Sequence, residues 1–348
     1  MKIFRGFGVL IVALWGLMGC AQDPERAEFI FETMGTVARS DLELPEGLSA
    51  AQAQALVATT YQEVNAVFSS WSPDSELSRL NRAPADSAVS LSPWLGQCLT
   101  AADRLRDISR GAFDPTAEPL MRLWGFYRRQ GSLPTPAAID SARGLMGGYT
   151  LGPGGTLTKG TSGTHFDLGG IAKGFAVDQA VTRLQQAGVK NGLVDLGGNL
   201  FCLGGAADRT DWRVGVRDPL NRDQYFATVA VTDLALATSG SYERFVTIDG
   251  RRYGHIMNPA TGRPAEGVLG VTVLAPSAQL ADGLSTALFV AGEEAGREIL
   301  NRLESPVEVI MVLPGTAQGT AEVLLTPGLE GRVSLLPDYV KRYTLRLW

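Results

Sequence analysis

The chain has 348 residues, 45% of them hydrophobic, with 31 basic and 36 acidic side chains and a net charge of −5. That length can bury a large core, as one domain or two lobes, and the mild acidity excludes charge-driven binding to nucleic acid or an anionic membrane surface. Only two histidines and three cysteines are present, without metal-ligand spacing, so a multi-histidine zinc site is excluded and any metal would be held by oxygens, which favours magnesium or calcium.

Residues 1–19 read as a targeting segment outside the fold. Lys2 and Arg5 precede an apolar run from Gly6 to Met18 that is too short to span a bilayer comfortably. The run ends Leu17-Met18-Gly19-Cys20, which resembles a bacterial lipoprotein signal cleaved before a lipidated Cys20. The expectation is an exported domain on the periplasmic side, a membrane-anchored lipoprotein held by acyl chains on Cys20 and a tether over residues 20–27. Met18 is unusual at its position, so ordinary secretion and an uncleaved anchor stay open. Losing Lys2 and Arg5 takes the basic count from 31 to 29 against 36 acidic residues, a net charge of −7.

Glu28 to Leu44 reads as a strand pair around Thr33-Met34-Gly35-Thr36. Ser49 then caps a helix whose apolar stripe is Val57, Tyr61, Val64, Phe68 and Trp71. Ser69 to Asn81 is a polar turn leading into a short helix. Ser92-Pro93 starts another helix, with Leu95, Leu99, Ala102 and Leu105 on one side and Gly111 as its stop. Phe113-Asp114-Pro115-Thr116 is a turn. Trp124, Phe126 and Tyr127 form an aromatic patch, read as core packing.

Thr164 to Asp178 reads as strand, glycine turn and helix. Ile171, Val177, Val181 and Leu184 recur at helical spacing, and Gly188 supplies the stop. Without Cβ atoms, Gly169 and Gly170 can take positive φ and let backbone approach a ligand closely. The free N–H groups of the helix's first turn, with Lys173 beside them, make a phosphate cradle. Neither a Gly-x-Gly-x-x-Gly fingerprint nor a Walker-type loop is present. Asp195-Leu196-Gly197-Gly198 repeats Asp167-Leu168-Gly169-Gly170, so two similar backbone turns are expected to face one site.

From Trp212 the chain alternates as strands, with Thr238-Ser239-Gly240-Ser241 breaking them and Asp249-Gly250 turning a hairpin. His255 to Pro264 is a polar loop. Cys98 and Cys202 are far apart, and both pairing and two buried free thiols stay open. No low-complexity linker divides the chain, which fits two lobes sharing a cleft. Ser277 caps a last chemical helix, in which Leu280, Leu284, Ala287, Leu288 and Ala291 run to a stop at Gly292. Asp282 and Thr286 lie one turn apart, so their oxygens can contribute two ligands to a hard cation.

In order along the chain, Thr33 to Thr36, Asp74 to Asn81, Gly111 to Thr116, Asp167 to Asp178, Asp195 to Asn199, Ala237 to Tyr242, His255 to Gly262 and Ala281 to Ala287 together resemble the ApbE family of flavin transferases. The match runs from about Phe31 to Ala295. The resemblance implies an α+β fold related to the T-fold, one transferase domain over residues 28–348, with FAD in a cleft between two lobes. It implies FAD as substrate, transfer of FMN to a threonine hydroxyl of an acceptor flavoprotein, and release of AMP. It further implies that Asp282, Thr286 and the Gly170 carbonyl bind Mg²⁺. Met34, Lys173, Asp195, Gly198, Asn199 and Thr238 would lie along the nucleotide, with Gly170 at the same place, and Asp282 or His255 would act as base. Asn258 stands where the family commonly has an acidic residue. Thr238-Ser239-Gly240 lacks the preceding Asp-Gly of an acceptor motif, which argues against self-modification. The alternatives are an FAD pyrophosphatase giving FMN and AMP, and a lipoprotein that binds FAD without turnover.

Overall fold

The computed structural model describes residues 25–128, 130–206, 210–240 and 244–348. Cys20 and the targeting segment, together with Ser241 and Tyr242, lie outside the described residues. The centre is a nine-stranded sheet in the order Glu25–Thr33, Thr36–Leu44, Gly192–Leu196, Asn199–Leu203, Leu234–Gly240, Gly270–Ala275, Glu308–Pro314, Ala321–Leu325 and Tyr343–Leu347. Neighbours are antiparallel except the last pair, which is parallel. With its helices on one side, this is the expected α+β class.

Seven helices are described: α1 (Ala50–Phe68), α2 (Glu76–Arg82), α3 (Pro93–Ile108), α4 (Glu118–Leu123), α5 (Pro136–Arg143), α6 (Ala172–Gln186) and α7 (Ala278–Leu300). Their starts follow the sequence signals. Ser49 makes a capping box with Gln52, and Ser92 caps α3 with Pro93 at its first position. The largest core packs one sheet face against α1, α3, α6 and α7 through Tyr61, Leu99, Phe175, Val273 and Leu288. A second core lies on the opposite face, closed by Trp212–Asp218, Asn221–Val231 and Val333–Leu335. A third, small core gathers Leu120, Trp124, Ile139, Val246 and Met257. Trp124 is inside it, donating Nε1–H to the Gly262 carbonyl at 2.9 Å, as the core reading expects. Cys98 and Cys202 are free and buried in different cores, and burial pushes both thiols up to about 12. No helix among the described residues is long and apolar enough to cross a membrane.

Several expectations need correction. The first strand begins at Glu25 and Ala27 is buried, so residues 25–27 belong to the sheet rather than to a tether. Helix α1 stops at Phe68, and Trp71 beyond it is 59% exposed. Thr164 to Leu168 joins no sheet among the described residues. Side chains take the place of a neighbouring strand there: the Asn81 amide donates to the Phe166 carbonyl at 2.9 Å and accepts the Phe166 N–H at 2.7 Å. Gly169 and Gly170 do not have positive φ. Thr238, Ser239 and Gly240 do not break a strand but finish Leu234–Gly240 inside the sheet. Gly292 does interrupt α7, with φ 72° and ψ −168°, yet helical geometry resumes and runs to Leu300.

Candidate active site

The site grows from the packing of α6 on α7. At Gly174 a Cβ would sit 2.1 Å from the Ala278 carbonyl oxygen, so only glycine lets the two backbones touch. Asp178, one turn further along α6, accepts the Ala278 N–H at 2.7 Å and the Gln279 N–H at 2.9 Å. These are two of the amides that a helix start leaves without internal partners, and Ser277 takes a third from Leu280. The register so fixed brings Asp282 against the start of α6. Its Oδ2 accepts the Gly174 N–H at 3.0 Å, and its Oδ1 lies 3.5 Å from Lys173 Nζ.

The anion at this helix start is therefore the protein's own carboxylate, a correction to the phosphate cradle. Asp282 is buried at 4% exposure, with Lys173 as the cation beside it. Lys173 also donates to the Gly169 carbonyl at 3.1 Å. Thr286, one turn beyond Asp282, lies 3.3 Å from Ser239 Oγ, which meets Ser285 Oγ at 2.9 Å. Gly170 faces this group. A Cβ on it would lie 3.1 Å from Thr286 Oγ1 and 3.4 Å from the Phe113 ring, a close approach at ordinary φ to which those neighbours would have to yield by a few tenths of an ångström.

Gly170 thus lies against Thr286, whose Oγ1 is 3.4 Å from the Asp282 carbonyl oxygen. Among the described residues no group of three or more His, Cys, Asp and Glu side chains is placed to hold a metal. One carboxylate, one hydroxyl and one backbone carbonyl are all hard oxygen donors, and that set fits Mg²⁺ completed by phosphate oxygens and water.

The other candidate residues gather at the end of the sheet. Met34 (φ 49°) and Gly35 (φ 72°) form a two-residue hairpin turn, and the place of a Gly35 Cβ is 3.9 Å from Arg244 Nη2. Gly197 (φ 61°) and Gly198 (φ 87°) turn a second hairpin, packed so closely that a Gly197 Cβ would be 2.3 Å from Thr36 Oγ1. The two Asp-Leu-Gly-Gly stretches therefore differ: one opens a helix with ordinary φ, the other turns a hairpin. Asp195 accepts the Gly198 N–H at 2.7 Å, and burial pushes its carboxyl up to about 6. Asn199 is 3% exposed and its Oδ1 is a buried acceptor with no partner among the described residues. Thr238 is separate. Strand alternation puts its hydroxyl on the face opposite Ser239, 2.8 Å from Thr272 Oγ1.

His255 links the two groups. Its N–H donates to the Arg244 carbonyl at 3.1 Å, and Nδ1 lies 3.2 Å from the same oxygen. Nδ1 therefore carries the proton and Nε2 is left as acceptor. Burial, then the positive charges of Arg244 and Lys173, push the imidazole down to about 4. It is neutral at pH 7 and a weak base.

Sequence reasoning passed over Asp178 and Ser239 as individual residues, and it left Tyr127 to the core. Tyr127 donates its hydroxyl to Asp167, two residues before Gly169. Asp two residues ahead of an accepted N–H is an Asx-turn pattern, and that was the available signal for Asp167.

The model of the ApbE family matches residues 34–311. The FAD:protein FMN transferase of Vibrio cholerae is 34% identical over 313 residues, covering 88% of this chain and 94% of that protein. The Treponema pallidum protein of the same name is 33% identical over 357 residues, covering 96% of each. Among solved structures, the apo form of Pseudomonas stutzeri flavinyl transferase ApbE superimposes with a TM-score of 0.80 at 30% identity, covering 90% of this chain and 98% of that one. The flavin transferase ApbE from Vibrio cholerae gives a TM-score of 0.77 at 32% identity, with coverage of 89% and 99%.

Proposed function

This chain belongs to the ApbE family, and from that premise we propose how it works as an FAD:protein FMN transferase. It transfers FMN from FAD to a protein. In the proposed chemistry the acceptor is a threonine hydroxyl, whose oxygen attacks the flavin-side phosphorus. The bond from that phosphorus to the bridging oxygen breaks, AMP leaves with the bridging oxygen, and the hydroxyl proton passes to a base. FAD lies in a cleft between two lobes, with Met34, Lys173, Asp195, Gly198 and Asn199 along the nucleotide.

The observation that carries the reading is the convergence of Asp282, Thr286, Gly170 and Lys173 at one point of the α6–α7 contact. A pyrophosphate repels incoming nucleophiles, so its cleavage calls for cations and fixed donors more than for a covalent nucleophile. Asp282, Thr286 and the Gly170 carbonyl would hold Mg²⁺, which when bound supplies charge neutralisation and polarises the phosphoryl oxygens. Lys173 brings a second positive charge to the phosphates, held in place through Gly169 and Asp282. His255, neutral with Nε2 free to accept, and Asp282 are the two groups able to take the threonine proton.

AMP release from FAD in the presence of an acceptor tests this: EDTA should stop it and Mg²⁺ should restore it. Release of FMN and AMP with the acceptor unmodified would point instead to a pyrophosphatase, and bound, uncleaved FAD to a binding protein. We also propose that the domain is exported and tethered at the membrane through lipid on Cys20, on the strength of the Leu17-Met18-Gly19-Cys20 signal.

A further inference from the structure

One half-buried tyrosine beside the site has a geometry that core packing alone does not require. Tyr127 follows α4 with its ring between two neighbours. The Arg122 guanidinium sits 5.4 Å from the ring centroid and the Trp71 ring centroid 5.2 Å from it. Arg122 is held by Glu118, itself 3% exposed, which also meets His165 Nδ1 at 3.4 Å. The ring therefore packs against both groups.

The Tyr127 hydroxyl donates to Asp167 Oδ2, and Asp167 Oδ1 accepts the Gly169 N–H at 2.7 Å. Asp167 N–H in turn donates to the Pro115 carbonyl at 2.8 Å. The carboxylate thus has one oxygen on the tyrosine and the other on the turn, which removes its freedom to rotate. Gly169 is tied at both ends, its N–H to Asp167 and its carbonyl to Lys173 Nζ at 3.1 Å. The next residue is Gly170, whose Cα faces Thr286. Burial and the Asp167 charge push the Tyr127 phenol far above its ordinary range, so it remains a donor across physiological pH.

We infer that Tyr127 is a positioning residue for the transfer reaction, acting through Asp167 to fix the Gly169–Gly170 turn that supports Lys173 and adjoins Thr286. The inference rests on the reading of that turn as part of the metal and phosphate site. Thr164 to Leu168 has no strand partner among the described residues, so nothing in a sheet ladder supplies the rigidity that the turn needs. The Tyr127–Asp167 bond supplies it from the side, next to the Asn81 and Pro115 contacts. Groups that orient a metal's ligands without touching the metal are worth about 10- to 100-fold in affinity, which sets the expected scale.

The test is Tyr127→Phe in the full domain, which keeps the ring between Arg122 and Trp71 and removes only the hydroxyl. Tyr339→Phe is the control. It deletes a tyrosine hydrogen bond of 2.6 Å, to Gln224 Oε1, in the core on the other face of the sheet. Amide hydrogen exchange is read on the protein without FAD or metal, and the Mg²⁺ half-saturation of turnover is read separately. Tyr127→Phe should speed exchange in residues 167–173 alone and raise the Mg²⁺ half-saturation by roughly tenfold, while Tyr339→Phe should change neither. Unchanged exchange at 167–173, or faster exchange spread evenly through the chain, would overturn the positioning role. Faster local exchange with an unchanged Mg²⁺ half-saturation would also overturn it, since the turn would then be ordered without serving the reaction. A wild-type protein without Mg²⁺-dependent turnover would instead contradict the functional reading, and the exchange measurement distinguishes the two failures.

Discussion

The Gly174 amide and the Asp282 carboxylate meet at 3.0 Å, where α6 begins against α7. The contact joins two demands. The helix start gains an anion for its free N–H groups, and the carboxylate gains a partner that holds one oxygen without neutralising the charge. Asp282 can then be buried with one oxygen on Gly174 and the other 3.5 Å from Lys173 Nζ. Asp282→Asn keeps the size and removes the charge. We expect kcat/KM to fall by about 100-fold or more, on the scale seen when one preorganised electrostatic group is removed, with the fold intact by circular dichroism. Near-normal turnover would take Asp282 out of the mechanism.

Gly174→Ala tests the packing beneath that contact. The added methyl would lie 2.1 Å from the Ala278 carbonyl oxygen, so the helices must separate. Overpacking of this kind costs about 1–3 kcal/mol. Urea unfolding should show that loss, and activity should fall further than stability, because Lys173 and Asp282 sit on the two helices being pushed apart. Unchanged stability would mean that α6 and α7 are not in backbone contact.

Asp178→Asn addresses the same joint from the other side. The aspartate accepts two amides at once, and an asparagine would turn an N–H₂ toward one of them. A loss of about 1–3 kcal/mol is expected for a buried donor left without its acceptor. A change within about 0.5 kcal/mol, typical of an inconsequential surface substitution, would contradict the clamp.

His255 gives the pH prediction. Its ordinary value of 6.5 is pushed down to about 4 in the folded protein, so the unfolded chain binds the proton more tightly. Stability from this group is present above about 6.5 and is lost as pH falls towards 4. Ring resonances of the two histidines, assigned with His165→Gln, should show His255 still neutral at pH 6. Unfolding of His255→Gln should depend less on pH than the wild type between 6.5 and 4. A His255 titration near 6.5 would contradict the burial and the charges assigned to it.

The anchor has its own test. Labelled palmitate should appear on the wild type expressed in a bacterial host with a lipoprotein pathway and be absent from Cys20→Ala. Equal labelling of both would sink the lipoprotein assignment.

Much of this site was legible because its residues are close in sequence or carry local signals. Ser277, the stripe from Leu280 to Ala291 and the one-turn spacing of Asp282 and Thr286 define α7 without tertiary information. Met34-Gly35 and Asp249-Gly250 are hairpin turns on residue type alone. What failed was long-range. Thr164 to Leu168 alternates like a strand, yet its neighbours are the Asn81 side chain and Pro115, which no periodicity reveals. Gly169 and Gly170 can take positive φ, as any glycine can, and neither uses that freedom. At Gly170 the close neighbour is Thr286, 116 positions later in the chain. The same limit hid Tyr127, whose role depends on Asp167 and on the ring stack with Arg122 and Trp71.

The central claim is most directly tested by intact mass. The domain from Glu25 onward, with FAD, Mg²⁺ and a protein carrying an Asp-Gly-x-Thr-Ser-Gly-type segment, should add one FMN to the acceptor. The gain should vanish with EDTA and with replacement of the acceptor threonine by alanine. FMN and AMP accumulating in solution while the acceptor mass stays unchanged would contradict the account.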